Sequence, residues 1–166
     1  MNMNQFTQKS LAAIQGAQDI ALEYGNQQIE QPHLLLALVE DKEGFIPQLL
    51  TAMGMTVPSF EAAVKAEADK LPKVSGSGRE SGKVYVSQEV DRALQGAERE
   101  ARAMKDEYIS VEHILLGLLA HPSSALKELF RTYRLDKETV MQALAQVRGS
   151  QRVTSDNPEE TYNALK

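Results

Sequence analysis

The segment that comes nearest to a known chemical motif runs from Ser77 to Val84 and reads Ser-Gly-Arg-Glu-Ser-Gly-Lys-Val. A phosphate-binding loop needs a glycine, four further residues and then Gly-Lys-Ser/Thr, because its backbone amides hold the phosphates and its hydroxyl binds Mg²⁺. Here Ser77 replaces the first glycine and Val84 replaces the hydroxyl. No predicted strand precedes the segment. We therefore expect no nucleotide or other cofactor to bind within this chain.

The histidines are the next candidates for chemistry, and the chain has three of them: His33, His113 and His121. A tetrahedral zinc site needs three or four ligands, and the spacing of these histidines matches no recognised ligand pattern. His33 and His113 occupy the same early position in two related apolar helices. We expect each to make a structural hydrogen bond between its helix start and a neighbouring turn, and we expect no metal site.

Nucleophiles for covalent catalysis are also lacking in the sequence. The chain has no cysteine and no Gly-x-Ser-x-Gly motif, and Ser10, Ser59 and Ser87 fit helix starts or surface positions. Carboxylates that are close in sequence, such as Glu98 and Glu100, point to different faces of a helix and form no acid–base pair. The sequence thus predicts a chain that is not an enzyme.

The elements that position these residues come from a tandem duplication. Residues 6–65 align without a gap with residues 86–145, at a constant offset of 80. The densest match places His33-Leu-Leu-Leu-Ala-Leu38 over His113-Ile-Leu-Leu-Gly-Leu118. Units of this length are too long for a solenoid array, so the offset predicts two copies of one small helical module. A module of this size has a marginal core, and we expect the copies to pack together.

Each copy is predicted to contain four helices. Thr7 and Ser87 precede runs of helical periodicity, where a hydroxyl can cap the first turn. The second helices begin at Gln31-Pro32 and Ser110-Val111, and they are apolar nearly all round, so they should be central. The third and fourth helices are predicted at 46–53 and 58–71 in the first copy, and at 126–133 and 136–148 in the second. We predict an all-α domain of about eight helices over residues 1–149, made of two pseudo-symmetric four-helix repeats.

The repeats are predicted over residues 6–71 and 86–149, with a flexible Gly/Ser-rich connection at 72–85. Residues 150–156 are polar and read as flexible, and Asn157-Pro158 then resembles the start of a further helix. We interpret residues 150–166 as the start of a linker toward a module outside this chain. The net charge of −5 argues against nucleic acid as a partner, and no stretch is apolar enough to span a membrane. We expect a cytoplasmic protein.

The duplication, the paired His-[Leu/Ile]-Leu-Leu-x-Leu helices and the Gly/Ser connection together resemble the N-terminal domain of Clp-type AAA+ chaperones. Leu71-Pro-Lys-Val-Ser-Gly-Ser-Gly78 and the tail Arg152–Lys166 are similar to the branch of that family that disaggregates proteins. The resemblance covers both repeats over their whole length. It implies a domain that recruits unfolded or aggregated polypeptides through an apolar groove between the repeats. It also implies absent ATPase modules that use ATP and magnesium, a full-length homohexamer, and cooperation with a DnaK-type chaperone system.

The same resemblance implies which residues bind substrate: Thr7, Leu94, Asp106, Glu112 and His113. Gly96 and His113 replace residues that can be apolar in the family, which implies a shallower or shifted groove. One alternative is the adaptor-docking domain of a protease-coupled Clp ATPase. A third possibility, a small-molecule-binding or hydrolytic helical protein, would use His33 or His113. We expect the isolated chain to be monomeric.

Overall fold

The structure is a computed structural model, and it describes residues 3–73, 84–149, 153–156 and 158. The loop-like segment 77–83, most of the predicted connection and the start of the predicted tail helix at Asn157 lie outside the described residues. Within this part of the chain, no helix is both long enough and apolar enough to cross a membrane.

Among the described residues, eight α-helices, four in each repeat, form the domain, as the duplication predicts. The helices of the first repeat are α1 (Gln8–Glu23), α2 (Gln31–Glu40), α3 (Phe45–Ala52) and α4 (Val57–Asp69). Those of the second are α5 (Gln88–Ala103), α6 (Val111–Ala120), α7 (Ser124–Thr132) and α8 (Lys137–Val147). A short 3₁₀ turn, Met3–Gln5, precedes α1.

The helix boundaries follow from the local sequence signals. The hydroxyls of Thr7 and Ser87 accept hydrogen bonds from the amides of Ser10 and Val90, so both predicted caps are confirmed. Gly54 follows α3 with φ +81° and Gly149 follows α8 with φ +63°, a backbone conformation that glycine adopts without strain. Two helices differ from the prediction by two residues at one end: α4 ends at Asp69, before the predicted Leu71, and the other is α7. It begins at Ser124, two residues before the apolar periodicity, because small polar and Ala residues complete its first turn.

The central elements are α2 and α6. Leu34, Leu35 and Leu36 of α2, and Ile114 and Leu115 of α6, are fully buried or nearly so. Both helices contact helices of the opposite repeat, which places the shared core at the seam between the repeats. This confirms the prediction that the two apolar helices lie at the centre.

Two short parallel strand contacts join the repeats, and the sequence did not predict them. Strand β1 (Gln28–Ile29) pairs with β2 (Tyr85–Val86), placing Ile29 opposite Val86. An isolated bridge places Phe6 opposite Ile109. At the offset of 80, Phe6 is equivalent to Val86 and Ile29 to Ile109. Each repeat therefore completes the other reciprocally, with its leading residues paired to the turn that follows the first helix of the opposite repeat.

Candidate functional site

In the first repeat, His33 connects the start of α2 to the turn after α1. Its Nδ1 accepts a hydrogen bond from the Glu30 amide at 2.8 Å, and its Nε2 lies 2.8 Å from Asn26 Oδ1. The ring proton therefore sits on Nε2, which donates to the Asn26 amide oxygen. Asn26 in turn donates to the carbonyl oxygen of Pro72 at 2.9 Å. This is the structural hydrogen bond that the sequence predicts for His33.

In the second repeat, His113 makes the same connection to an acidic partner. Its Nδ1 accepts from the Ser110 amide at 2.9 Å, and its Nε2 donates to Asp106 Oδ2 at 2.7 Å. Asp106 Oδ1 also accepts from Arg148 Nη2 at 2.7 Å and from the Val153 amide at 2.9 Å. Burial alone would raise the pKa of Asp106, but the hydrogen bonds from His113, Arg148 and Val153 outweigh it and hold that pKa below its usual range.

Arg148 joins a second buried acid to this network. Its Nη1 lies 3.2 Å from Glu112 Oε2, and both side chains are almost completely excluded from solvent. Neither oxygen of Glu112 accepts a hydrogen bond from the described residues, so its contact with Arg148 is one of charge alone. Two carboxylates, those of Asp106 and Glu112, thus share one buried guanidinium.

The first repeat has no counterpart of this charged cluster. At the offset of 80, Asp106, Glu112 and Arg148 correspond to Asn26, Pro32 and Ala68. Sequence reasoning missed Arg148, although the signal was present: these are paired positions at which one repeat is charged and the other neutral. Such mismatches between two copies identify where one copy acquired its own structure.

The neutral environment of His33 makes the domain sensitive to acid. Burial, followed by the charge of Lys73, lowers the pKa of His33 to about 4. An unfolded histidine has a pKa near 6.5, so below that pH the unfolded chain binds a proton that the folded chain does not. We expect stability from this group to be fully present above pH 6.5 and to fall by about 3 kcal/mol as the pH drops to about 4. Titration of the His33 ring by NMR checks the midpoint.

The second repeat supplies the matched variant for that titration. Asn26→Asp gives His33 the carboxylate partner that His113 has, and it should raise the pKa of His33 because the carboxylate stabilises the imidazolium. The variant's stability should then depend less on pH between 4 and 6.5. A wild-type His33 midpoint near 6.5 would contradict the prediction.

The residues that the family resemblance assigns to substrate binding are all buried in this conformation. Asp106, Glu112 and His113 lie together in the charged cluster, and Leu94 lies on α5 in the apolar core. Thr7 caps α1, and its amide donates to the Ile109 carbonyl at 3.0 Å, in the same turn that holds Asp106. Their contribution to substrate binding stays a prediction. In the structure Thr7 caps the start of α1, and His113 ties the start of α6 to Asp106.

Residues 153–156, which the sequence predicts to be flexible, pack on this cluster. Val153 is fully buried, and its carbonyl accepts from the Glu107 amide at 2.7 Å. The carbonyl of Asp156 accepts from the Gln8 amide at 2.8 Å. We term residues 153–156 the exit segment. Its polar composition suggested a linker, but its backbone groups find partners that only the folded domain brings together.

An apolar pocket of about 220 Å³ opens where α1, α2 and the start of α6 meet. The first repeat supplies all of its lining except Val111, which comes from the second repeat. We term it the seam pocket, because residues of both repeats line it. At its rim, Lys9 Nζ lies 3.6 Å from Asp41 Oδ2, with both side chains partly exposed. The complete lining is Lys9, Ala12, Ala13, Ala37, Leu38, Asp41, Gly44, Phe45, Ile46 and Val111.

The capped helix starts place this pocket. Ser10, one turn into α1, donates its hydroxyl to the Ile109 carbonyl at 2.9 Å, which ties α1 to the residues leading into α6. Val111 is the first residue of α6 and directly precedes Glu112. The predicted site residues Thr7 and Glu112 are therefore close in sequence to lining residues of the seam pocket, but they do not line it themselves.

A second, larger groove of about 630 Å³ lies between α3–α4 and α7–α8. Its apolar residues include Met53, Met55 and Tyr133, but threonine, serine and glutamine side chains supply much of its remaining lining. Its polar lining suits it less well than the seam pocket to bind an apolar side chain.

Comparison with known sequences places the chain in a family. Residues 5–133 match the sequence profile of the Clp repeat (R) N-terminal domain. The chain is 44% identical over 167 residues to the chaperone protein ClpB of Nitratidesulfovibrio vulgaris. That alignment covers 100% of the chain but 19% of the relative, so the chain spans about a fifth of the relative's length.

Solved structures share the fold. The N-terminal domain of Hsp104 from Candida albicans superposes with a TM-score of 0.79 at 24% identity, covering 93% of this chain and 99% of that one. A complex of the ClpV N-domain with a VipB peptide has a TM-score of 0.66 at 18% identity, covering 94% of this chain and 91% of that one. Both similarities establish the all-α, double-repeat architecture.

Proposed function

Because the chain belongs to the Clp repeat N-terminal domain family, we propose that it is the substrate-recruitment domain of a ClpB-type, ATP-dependent protein disaggregase. It binds unfolded or aggregated polypeptide through an apolar groove between the repeats. The observation that carries the proposal is the seam pocket, which has a mainly apolar lining with Lys9 and Asp41 at its rim and is completed by Val111 of the second repeat. The peptide in the complex of the ClpV N-domain, a protein of the same fold, supports a partner of this kind.

Binding at the seam pocket follows from desolvation. An extended polypeptide exposes side chains that a folded protein buries, and one of them loses its contact with water when it enters the pocket. Burial of one Leu- or Phe-sized side chain contributes about 1.5–3 kcal/mol. A millimolar dissociation constant already corresponds to about 4 kcal/mol, so a single contact of this kind is weak. Weak binding suits a domain that must release its substrate.

Strong recruitment then requires several domains at once. We propose that the longer protein is a homohexamer and that ATPase modules outside this chain bind ATP and magnesium. Linked binding sites raise one another's effective concentration, so six weak domains can hold one aggregate firmly. A DnaK-type chaperone system is the proposed partner of the full-length protein. In this arrangement the chain supplies recognition and performs no reaction itself.

An NMR titration tests this function. The isotope-labelled chain is titrated with a permanently unfolded, apolar polypeptide and, as the control, with a folded protein of matched charge. We expect shifts from the unfolded chain only, at amides around Ala13, Ala37 and Val111, and at those of the predicted site residues. If the unfolded polypeptide shifts no signal, the recruitment function is wrong. A tight complex with one folded protein would instead favour the adaptor-docking alternative.

A further inference from the structure

The seam pocket has an equivalent location in the second repeat, and the two locations differ at one key position. At the offset of 80, Val111, which lines the seam pocket from the second repeat, corresponds to Gln31 of the first repeat. The remaining lining corresponds to residues of α5, α6 and the start of α7, such as Ala93 for Ala13 and Leu118 for Leu38. The repeats therefore build two related sites, each completed by one residue from the opposite repeat.

Gln31 fills the second location with its own side chain. It is fully buried, and its Nε2 donates to the carbonyls of Glu89 at 2.9 Å and His121 at 2.7 Å. Its Oε1 accepts from the Ser123 amide at 2.7 Å. Both donor hydrogens and the acceptor of this amide are thus used, so the side chain is held firmly across the seam. Valine, at the equivalent position 111, is too short to make these contacts.

A difference in helix spacing also favours an open pocket in the first repeat and none in the second. A Cβ atom on Gly117 would lie 2.1 Å from the Ala93 carbonyl oxygen, so the backbones of α6 and α5 are in direct contact. The equivalent of Gly117 is Ala37, whose methyl group lies between α2 and α1, 3.5 Å from where a Cβ on Gly16 would lie. The alanine keeps α1 and α2 further apart, and the seam pocket opens between them.

We propose that Gln31 seals the second location, so that the domain takes one apolar side chain of an extended polypeptide, in the seam pocket alone. The inference rests on the proposed function and specifies its site and stoichiometry. The occupant is a single Leu- or Phe-sized side chain. A cavity of about 150 Å³ already admits a benzene ring, and the 220 Å³ of the seam pocket is too small for a helix or a folded surface.

Sealing is tested first with toluene, a probe that does not depend on the recruitment function. In methyl NMR spectra, toluene should shift the Ala13 and Ala37 signals of the wild-type chain and leave those of Ala93 and Leu118 unchanged. Shifts at Ala93 or Leu118 comparable to those at Ala13 would show that the second location is open, and they would overturn the proposal.

Val111→Gln places the sealing side chain in the open pocket. We expect it to abolish the toluene shifts and to weaken binding of the unfolded polypeptide at least tenfold, while the variant stays folded at the temperature of the titration. Val86→Gln, the same substitution at an exposed residue that does not line the seam pocket, is the control, and it should keep binding within twofold. If the polypeptide binds the wild type and Val111→Gln equally, this inference fails while the recruitment function stands. If the polypeptide does not bind the wild type, the recruitment function is wrong. The toluene shifts then still show whether Gln31 seals the second location.

Gln31→Val is the converse variant. Opening the second location should bring toluene shifts at Ala93 and Leu118 and a second bound equivalent in a titration. The variant leaves the Ser123 amide without its Gln31 partner and should therefore be less stable. If it does not fold, the Val111→Gln result decides the question.

Discussion

Gly117→Ala should lower the free energy of unfolding by about 3 kcal/mol, because the added methyl group has no space between α6 and α5. Its Cβ would lie 2.1 Å from the Ala93 carbonyl oxygen and 2.8 Å from the Ala97 amide nitrogen. Both are backbone atoms of α5, so relief requires the two helices to separate along their contact. The higher helix propensity of alanine recovers only about 1 kcal/mol of this loss. Urea denaturation of the wild type and the variant measures the difference.

Gly16→Ala is the matched control on the equivalent helix pair of the first repeat. A Cβ at Gly16 would meet only the Ala37 methyl group at 3.5 Å, an ordinary contact. We expect this variant to be as stable as the wild type or more stable by up to about 1 kcal/mol, from helix propensity alone. Equal effects of the two substitutions would show that α5 and α6 are not in closer contact than α1 and α2.

Arg148→Ala should be the most damaging change of a charged residue, at about 3–5 kcal/mol. It removes the guanidinium that, among the described residues, pairs with the buried carboxylates of Asp106 and Glu112. Charges left in the interior without a cation are strongly unfavourable, and the exit segment would also lose part of its anchor at Asp106. Chemical denaturation at neutral pH measures the loss. Arg131→Ala, which removes an exposed pair with Glu128, is the control and should cost less than about 1 kcal/mol.

The first repeat suggests how to rescue that loss. The triple variant Asp106→Asn, Glu112→Gln and Arg148→Ala gives the second repeat a neutral interior, with the Asn and Ala of positions 26 and 68. We expect it to be clearly more stable than Arg148→Ala, because no uncompensated charge remains. A triple variant no more stable than the single one would mean that lost packing of the Arg148 side chain, rather than uncompensated buried charge, explains the damage.

The helices could be predicted from the sequence because the signals that start and end them are local. The caps at Thr7 and Ser87, the proline at position 32 and the glycines that follow α3 and α8 act within one turn of the chain. The strand contacts escaped prediction because β1 and β2 are two residues long, too short for any periodicity. They exist because the repeats dock and bring Ile29 to Val86.

The candidate site was less predictable, for a related reason. Val153 lies in a polar stretch, and its burial depends on Asp106 and Glu107, which are distant in sequence. The open pocket next to Val111 and the sealed one at Gln31 differ by side chains whose roles depend on the opposite repeat. No pattern within one helix reports such a difference. Position-by-position comparison of the two copies does report it, because both copies share one backbone plan.

The reciprocal strand contacts give the two repeats the symmetry of a dimer. Each repeat lends its leading residues to the other, around Phe6 and Val86, as the subunits of an isologous C2 dimer do. In such a dimer every substitution appears twice, so two equivalent sites must stay identical. Joining the subunits in one chain removes that restriction. Glutamine at one position and valine at its partner is a combination that only the fused chain can encode.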